Sequence, residues 1–272
     1  MVILDGKKLS NKVLDNLKRI IKNRHMKLRL VAILVGESKI SKIYIKKKEY
    51  ICREIGIDFN LVHFSEKVGK DKLKKEIERI VEVKGNSGII IQLPLPKNIN
   101  TQEILNIIPS EKDVDVLSET SLGKFSRGTL PILPPIVNGI SHFLKDYKIE
   151  TKGKNILIIG AGRLVGYPLA IWFLQKNATV SVLNKYTKNI QSFTKKADIL
   201  ISGVGKPNLI RGNMVKKGVV IIDAGTSVES GKMVGDVNFK EVSSKASYIT
   251  PVPSGVGPMT VACLLENLIK LN

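Results

Sequence analysis

The chain is poor in the residues that build metal centres and disulfide frameworks. Its 272 residues include two cysteines, three histidines, one tryptophan and only 5% aromatics. Cys52 and Cys263 cannot define a disulfide framework and show no metal-ligand spacing. His25, His63 and His142 have no carboxylate cluster near them in the sequence, so no metal is expected. No apolar run approaches the roughly 18 residues that a membrane span needs. The start, Met1 to Lys8, has too short an apolar stretch for a secretory signal. No repeat or low-complexity tract is visible. A cytoplasmic protein without metal or membrane partners is expected.

Acidic residues are also scarce: 24 Asp and Glu face 44 Lys and Arg, a net charge of +20. Three readings are open. The lysines can form solvated faces, as in a lysine-rich proteome. They can draw in anionic small ligands such as dinucleotide phosphates. They can bind nucleic acid, which favours clustered basic residues with interleaved aromatics. The basic residues are spread along both halves, so nucleic acid is not the expected partner.

Glycine and aliphatic residues are what the chain has in quantity, with 22 glycines and 43% hydrophobic residues. The apolar run Ile156 to Ile159 leads into Gly160-Ala161-Gly162-Arg163-Leu164-Val165-Gly166-Tyr167-Pro168, and a helical pattern follows. Strand, glycine-rich turn and helix in that order build a dinucleotide site. Gly160 permits the turn, Gly162 lets backbone approach a pyrophosphate, and Gly166 lets the helix close on the sheet. The helix N-terminus adds a partial positive charge. The next strand, Ala178 to Leu183, ends in Asn184-Lys185-Tyr186-Thr187-Lys188. No carboxylate stands there to take a ribose 2′-hydroxyl, and Lys185 is placed to meet a 2′-phosphate. NADP is therefore the expected cofactor.

Elsewhere helical and strand patterns alternate. Helices are predicted over Lys8 to Arg24, Asp71 to Val83, Asn138 to Tyr147 and Met259 to Leu271. Strands are predicted over Leu28 to Val35, Ile57 to Phe64, Gly88 to Gln92, Ile199 to Ser202 and Val219 to Asp223. Such alternation implies βαβ units, parallel sheets and the α/β class, here as two domains in one chain.

Three segments carry further candidates. Helical spacing from Ile40 to Ile55 puts Ile40, Tyr44, Ile51 and Ile55 on one apolar face. Lys48 borders that stripe, where lost hydration would lower its pKa and let it exchange protons near neutrality. Lys47 lies almost as close, so spacing does not choose between them. Gln92 closes a predicted parallel strand and precedes Leu93-Pro94-Leu95-Pro96, at the strand end where open α/β sheets bind ligands. Lys112-Asp113-Val114-Asp115 reads, taken alone, as a solvated turn.

Together these segments resemble the bifunctional methylenetetrahydrofolate dehydrogenase/cyclohydrolase family, from end to end of the chain. The likeness rests on Ser41, Tyr44 and Lys48, on Gln92 to Pro96, on Lys112 to Asp115 and on Gly160 to Pro168. It extends to Gly203, Gly205 and Pro207, to Ile222, Asp223 and Gly225, to Gly235-Asp236-Val237, and to Ile249 to Thr260. The resemblance selects Lys48 over Lys47.

It implies an N-terminal α/β catalytic domain (residues 1–135) and a Rossmann-like NAD(P)-binding domain (136–258), with a cleft between them. The final helix (259–272) returns to the first domain. It implies Lys48 as catalytic lysine, Gln92 orienting it, Tyr44 stacking on a pterin-type carrier and Asp115 hydrogen-bonding the pterin. Gly160, Ala161, Gly162, Arg163, Val165, Gly166, Lys185, Thr187, Gly203 and Gly225 would hold NADP. Pro253, Ser254 and Gly255 would approach the substrate. The activity implied is oxidation of 5,10-methylenetetrahydrofolate and hydrolysis of the methenyl product, in a homodimer. The chain departs from the family pattern at Val116, Ser118, Ser121, Pro134 to Val137 and Ser254. Loss of the hydrolase activity, or a modified folate or methanopterin-like carrier, therefore stays open.

Overall fold

A computed structural model describes residues 1–229 and 231–272. The side chains of Lys39 and Ile40 are outside that description, so the expected place of Ile40 on an apolar face lies outside the described residues. In chain order the first elements are β1 (Val2–Ile3), α1 (Gly6–Asn23), β2 (Arg29–Val35), α2 (Lys39–Ile55), β3 (Asp58–Phe64), α3 (Lys70–Glu82) and β4 (Gly88–Ile91). Next come α4 (Thr101–Leu105), α5 (Glu119–Ser126), α6 (Pro135–Asp146), β5 (Asn155–Ile159), α7 (Gly166–Gln175), β6 (Thr179–Leu183), α8 (Ile190–Thr194) and β7 (Ile199–Ser202). The last are β8 (Val220–Asp223), β9 (Ser227–Glu229), β10 (Lys232–Val234), α9 (Phe239–Ser243), β11 (Tyr248–Ile249) and α10 (Val256–Lys270). No helix among the described residues is long and apolar enough to cross a membrane.

The chain forms two compact units, Met1–Asn11 with Ile136–Thr260, and Lys12–Pro135 with Val261–Asn272. The first eleven residues therefore join the nucleotide-type unit rather than the unit their place in the chain suggested. The reason is backbone pairing. Val2 and Ile3 add a parallel strand beside Tyr248 and Ile249, and Leu4 N–H donates to the Ile249 carbonyl at 2.8 Å.

In the lysine-bearing unit the sheet order is β3-β2-β4, all parallel. β2 is central and buried after Arg29, which is why it reads as an unbroken aliphatic run rather than an alternating one. One face packs on Leu17, Ile21, Ile45, Cys52 and Ile55, together with Leu264, Leu265 and Leu268 of α10. Gly88 is required for that approach, because a Cβ there would stand 2.5 Å from a Leu268 methyl. The other face packs on Leu73 and Ile77 of α3 and on Ile104 and Leu105 of α4. The chain goes from β2 to β3 on one side and then to β4 on the other, so a topological switch point falls between β2 and β4.

In the other unit six parallel strands run β1-β11-β8-β7-β5-β6. Their side chains form an aliphatic core around Leu157, Leu200, Ile221 and Ile249. The chain leaves β5 for β6 on one side and returns to β7 on the other. The switch point, and hence the crevice where such sheets hold ligands, lies beyond the carboxyl ends of β5 and β7.

Val116 occupies the left-handed region at φ +58° although it is β-branched. That conformation costs roughly 1–2 kcal/mol for a side-chain-bearing residue. Its side chain is 2% exposed, and burying it gains roughly 1.5–3 kcal/mol, which offsets the strain. The usual order of Ala over Gly should therefore invert at this position. Val116→Gly is expected to be more stable than Val116→Ala by about 1 kcal/mol in denaturant unfolding. An Ala variant as stable as the Gly variant would contradict this.

Candidate active site

The crossover helix α2 begins with a cap, Ser38 Oγ accepting from Ser41 N–H at 3.3 Å. Its buried face is Ser41, Ile45, Cys52 and Ile55, with Lys48 in the same row. This corrects the expected face at two positions. Tyr44 is only half-buried, and Ile45, one residue on, enters the core. Ile51 is likewise only partly buried, and Cys52, one residue on, is in the core. The row at spacings of three and four thus passes through Lys48 itself, while Lys47 is exposed.

Lys48 Nζ donates to Gln92 Oε1 at 2.9 Å. Gln92 follows β4 directly, at the switch point, and its own amide Nε2 donates to the Leu93 carbonyl at 3.0 Å. That second bond fixes the amide so that its oxygen faces the lysine. Burial pushes the Lys48 amine below the ordinary lysine range, and the nearby Asp115 and Cys52 pull it back only in part. The Asp115 carboxyl is pushed above the usual carboxylate range, chiefly by burial, with Lys48 pulling it down and Asp113 adding to the rise. The Cys52 thiol, also buried, is pushed up to about 12 and is inert at neutral pH. Both members of the Lys48–Asp115 pair are thereby shifted toward their neutral forms. A neutral amine beside an oriented amide oxygen can accept a proton.

Lys112 and Asp113 do not form the solvated turn expected of them. Asp113 is 2% exposed, and its carboxylate accepts from Leu117 N–H at 3.0 Å and Ser118 N–H at 2.8 Å. Lys112 Nζ donates to the carbonyls of Val81 and Val83 at 2.6 and 3.1 Å, closing the C-terminal end of α3. The two residues hold the loop that carries Asp115. Ser118 caps α5, its Oγ accepting from Ser121 N–H at 3.2 Å. Both serines are thus absorbed by local structure.

In the other unit Gly160 follows β5 with φ +103°. A Cβ on Gly166 would stand 1.8 Å from the Gly160 carbonyl oxygen, and one on Gly203 would stand 2.5 Å from a Val165 methyl. The turn after β5 and the loop after β7 therefore close on each other through glycine. At Gly162 nothing lies within 4 Å of where a Cβ would be, so an anion can reach the backbone there, as a dinucleotide pyrophosphate requires. Ala161 and Arg163 are exposed beside it.

Beyond β6, Lys185 is exposed, with Nζ 4.9 Å from the centre of the Tyr186 ring. Thr187 braces this turn, its Oγ1 accepting from Asn184 N–H at 3.1 Å. Pro253, Ser254 and Gly255 form a turn with Ser254 at φ +82°. Lys7 N–H donates to the Ser254 carbonyl at 3.0 Å, and a Cβ on Gly6 would overlap the Gly255 carbonyl at 1.8 Å. This brace from the N-terminal segment had no sequence signal beyond a lone glycine.

Residues 4–115 match the family described as tetrahydrofolate dehydrogenase/cyclohydrolase, catalytic domain, and residues 134–272 match its NAD(P)-binding domain. The bifunctional protein FolD of Hydrogenobaculum sp. (strain Y04AAS1) is 46% identical over 272 residues, covering 99% of this chain and 98% of its own. The crystal structure of the bifunctional FolD methylenetetrahydrofolate dehydrogenase/cyclohydrolase from Campylobacter jejuni has a TM-score of 0.96 at 43% identity, covering 100% of this chain and 98% of that one. The Trypanosoma brucei dehydrogenase-cyclohydrolase, solved with NADP and an inhibitor, has a TM-score of 0.94 at 30% identity over 99% and 96% of the two chains.

Proposed function

The chain belongs to the tetrahydrofolate dehydrogenase/cyclohydrolase family, and on that premise we propose that it oxidises 5,10-methylenetetrahydrofolate with NADP and hydrolyses the methenyl product to 10-formyltetrahydrofolate. The observation that carries this reading is the desolvated Lys48 amine held at 2.9 Å by Gln92. NADP, when bound, accepts the hydride from the methylene carbon. The methenyl product is a cation, and an ammonium beside it would repel it; a neutral Lys48 does not.

Lys48 then takes a proton from the water whose oxygen bonds to the methenyl carbon. In the resulting neutral hydroxyl adduct the carbon–N5 bond breaks, and N5 takes the proton that Lys48 holds. The hydroxyl proton leaves to solvent as the carbonyl forms, and the formyl group stays on N10 with one proton released overall. Gln92 keeps the amine aimed at the reacting carbon. Asp115, its carboxyl raised toward the neutral form, can donate to or accept from the pterin ring, and Tyr44 offers a half-buried ring for stacking. Gly160 to Gly166 and Gly203 receive the pyrophosphate side of the cofactor. Lys185 meets the 2′-phosphate, and Pro253 to Gly255 line the approach to the substrate.

We further propose a cytoplasmic homodimer. β3 is an edge strand among the described residues and exposes Leu61 at 42%, while Ile43 and Tyr50 on α2 are each 64% exposed. Light scattering on the purified protein should give twice the chain mass, and a monomer at micromolar concentration would remove the proposal.

The assay that tests the function crosses NADP and NAD with tetrahydrofolate and tetrahydromethanopterin carriers. Turnover is expected with NADP and the folate, followed by decay of methenyl absorbance as hydrolysis proceeds. No turnover with any reduced pterin would reject the reading. Lys185→Asp should weaken NADP by about tenfold or more and NAD far less, since an acidic side chain repels only the 2′-phosphate strongly. Equal losses would reject that role for Lys185.

A further inference from the structure

Two buried carboxylates in the nucleotide-type unit have no part in the chemistry described so far. Asp236 is 0% exposed and Asp223 is 3% exposed. Asp236 Oδ2 accepts from Ser202 Oγ and Val204 N–H, each at 2.7 Å, and Oδ1 accepts from Lys206 N–H at 2.8 Å. Asp223 Oδ1 accepts from Gly225 N–H at 2.9 Å and Asp236 N–H at 3.1 Å, and Oδ2 from Val237 N–H at 2.9 Å. The Asp223 N–H is itself held by Thr250 Oγ1 at 2.7 Å.

The pair is reciprocal. A Cβ on Gly225 would fall 2.2 Å from the Asp236 carboxylate, and one on Gly235 would fall 2.1 Å from Asp223 Oδ2. Each carboxylate therefore lies against the glycine that neighbours the other. This explains why the motifs Asp223-Ala224-Gly225 and Gly235-Asp236-Val237 occur as a matched set: the glycines make room for the carboxylates, and the carboxylates collect the backbone N–H groups. Burial pushes Asp223 up to about 6, against the pull of three N–H donors.

The bonds converge on one place. Ser202 ends β7, and Val204 and Lys206 belong to the loop after it, whose Gly203 closes on the turn after β5 through Val165. That loop stands at the switch point where the cofactor binds in this fold class. We infer that Asp236, seated by Asp223, is a positioning residue that fixes the loop Gly203 to Pro207 for NADP without touching the reacting atoms. The inference rests on the NADP-dependent reading above.

The test uses the fact that only one of the two activities consumes NADP. In Asp236→Asn the amide offers one acceptor oxygen and one NH₂ where the carboxylate offered two acceptors, so in either orientation a backbone N–H faces a donor. Removing an ionic acceptor from a buried N–H is expected to weaken NADP by about tenfold to a hundredfold. Hydrolysis of methenyltetrahydrofolate supplied without cofactor should stay within about twofold. Ser202→Ala removes only the hydroxyl and should shift the NADP Kd and KM the same way by a few-fold. It decides the matter if Asp236→Asn fails to fold.

Calorimetric NADP binding on the whole enzyme reads the inference independently of turnover. A wild-type chain that binds NADP but oxidises no folate would reject the proposed function and leave this inference standing. Unchanged NADP affinity in both variants would overturn it, as would a parallel fall of both activities.

Discussion

Lys48→Met is expected to lower hydrolysis of the methenyl substrate by about 10²–10⁴-fold, the usual contribution of a positioned acid–base group. Methionine keeps a flexible apolar stem of similar length in the row Ser41, Ile45, Cys52 and Ile55, so α2 should stay packed. What disappears is the proton acceptor at 2.9 Å from Gln92. NADP affinity should stay within about twofold, because no cofactor-binding residue proposed above lies on α2. Stopped-flow decay of methenyl absorbance, alongside calorimetric NADP binding, checks both halves. Hydrolysis persisting at the wild-type rate would remove Lys48 from the mechanism. Gln92→Leu should have a smaller effect in the same direction, because the amine survives but loses the acceptor that aims it.

Gly166→Ala is expected to damage the other unit more than any exposed substitution there. Its Cβ would stand 1.8 Å from the Gly160 carbonyl oxygen and 3.1 Å from the Ala161 Cα, and both neighbours are backbone that cannot swing aside. Overpacking of this kind costs roughly 1–3 kcal/mol, and more where the obstacle is rigid. Relief requires α7 to back away from β5, which opens the turn that receives the pyrophosphate. NADP affinity should fall by at least about tenfold, and thermal unfolding should drop by several degrees. By contrast, Gly162→Ala meets nothing within 4 Å, so it should fold normally and lose affinity only by crowding the bound anion. Equal stability of the Gly166 variant and wild type would contradict the close approach.

Long elements with a sustained period were legible before any coordinates. β2 and β4 read as aliphatic runs because both their faces are covered, and α1 and α3 showed the helical period. The pairs β1 with β11 and β9 with β10 were not legible, since two or three residues carry no period. They exist because the sheet edge or the neighbouring strand supplies the pairing.

The same limit applied to the site. Helical spacing brought Lys48 to the edge of an apolar face but could not separate it from Lys47, because one position is a rotation of about 100° and the stripe is wider than that. The choice depends on which side of α2 meets β2, a tertiary fact, and the family likeness supplied it. The burial of Asp113 leaves no mark in the sequence, because a carboxylate that collects backbone N–H groups looks there like any loop aspartate. The Asp223 and Asp236 motifs were visible as words, but their reciprocity depends on glycine–carboxylate pairs twelve and eleven residues apart meeting in space.

The proposed hydrolysis depends on an amine whose charge is unfavourable where it sits. Burial lowers the Lys48 pKa in the folded chain, so the neutral, proton-accepting form should be present below the ordinary lysine midpoint of about 10.4. Hydrolysis should fall as pH drops through that lowered value, because protonation removes the acceptor. Titration of Lys48 by NMR of side-chain-labelled protein, with Lys48→Met to assign its signal, measures this directly. A midpoint well below 10.4, coincident with the acidic limb of the hydrolysis rate, is the expected result; a Lys48 that titrates at the ordinary value, with hydrolysis indifferent to it, would contradict the mechanism.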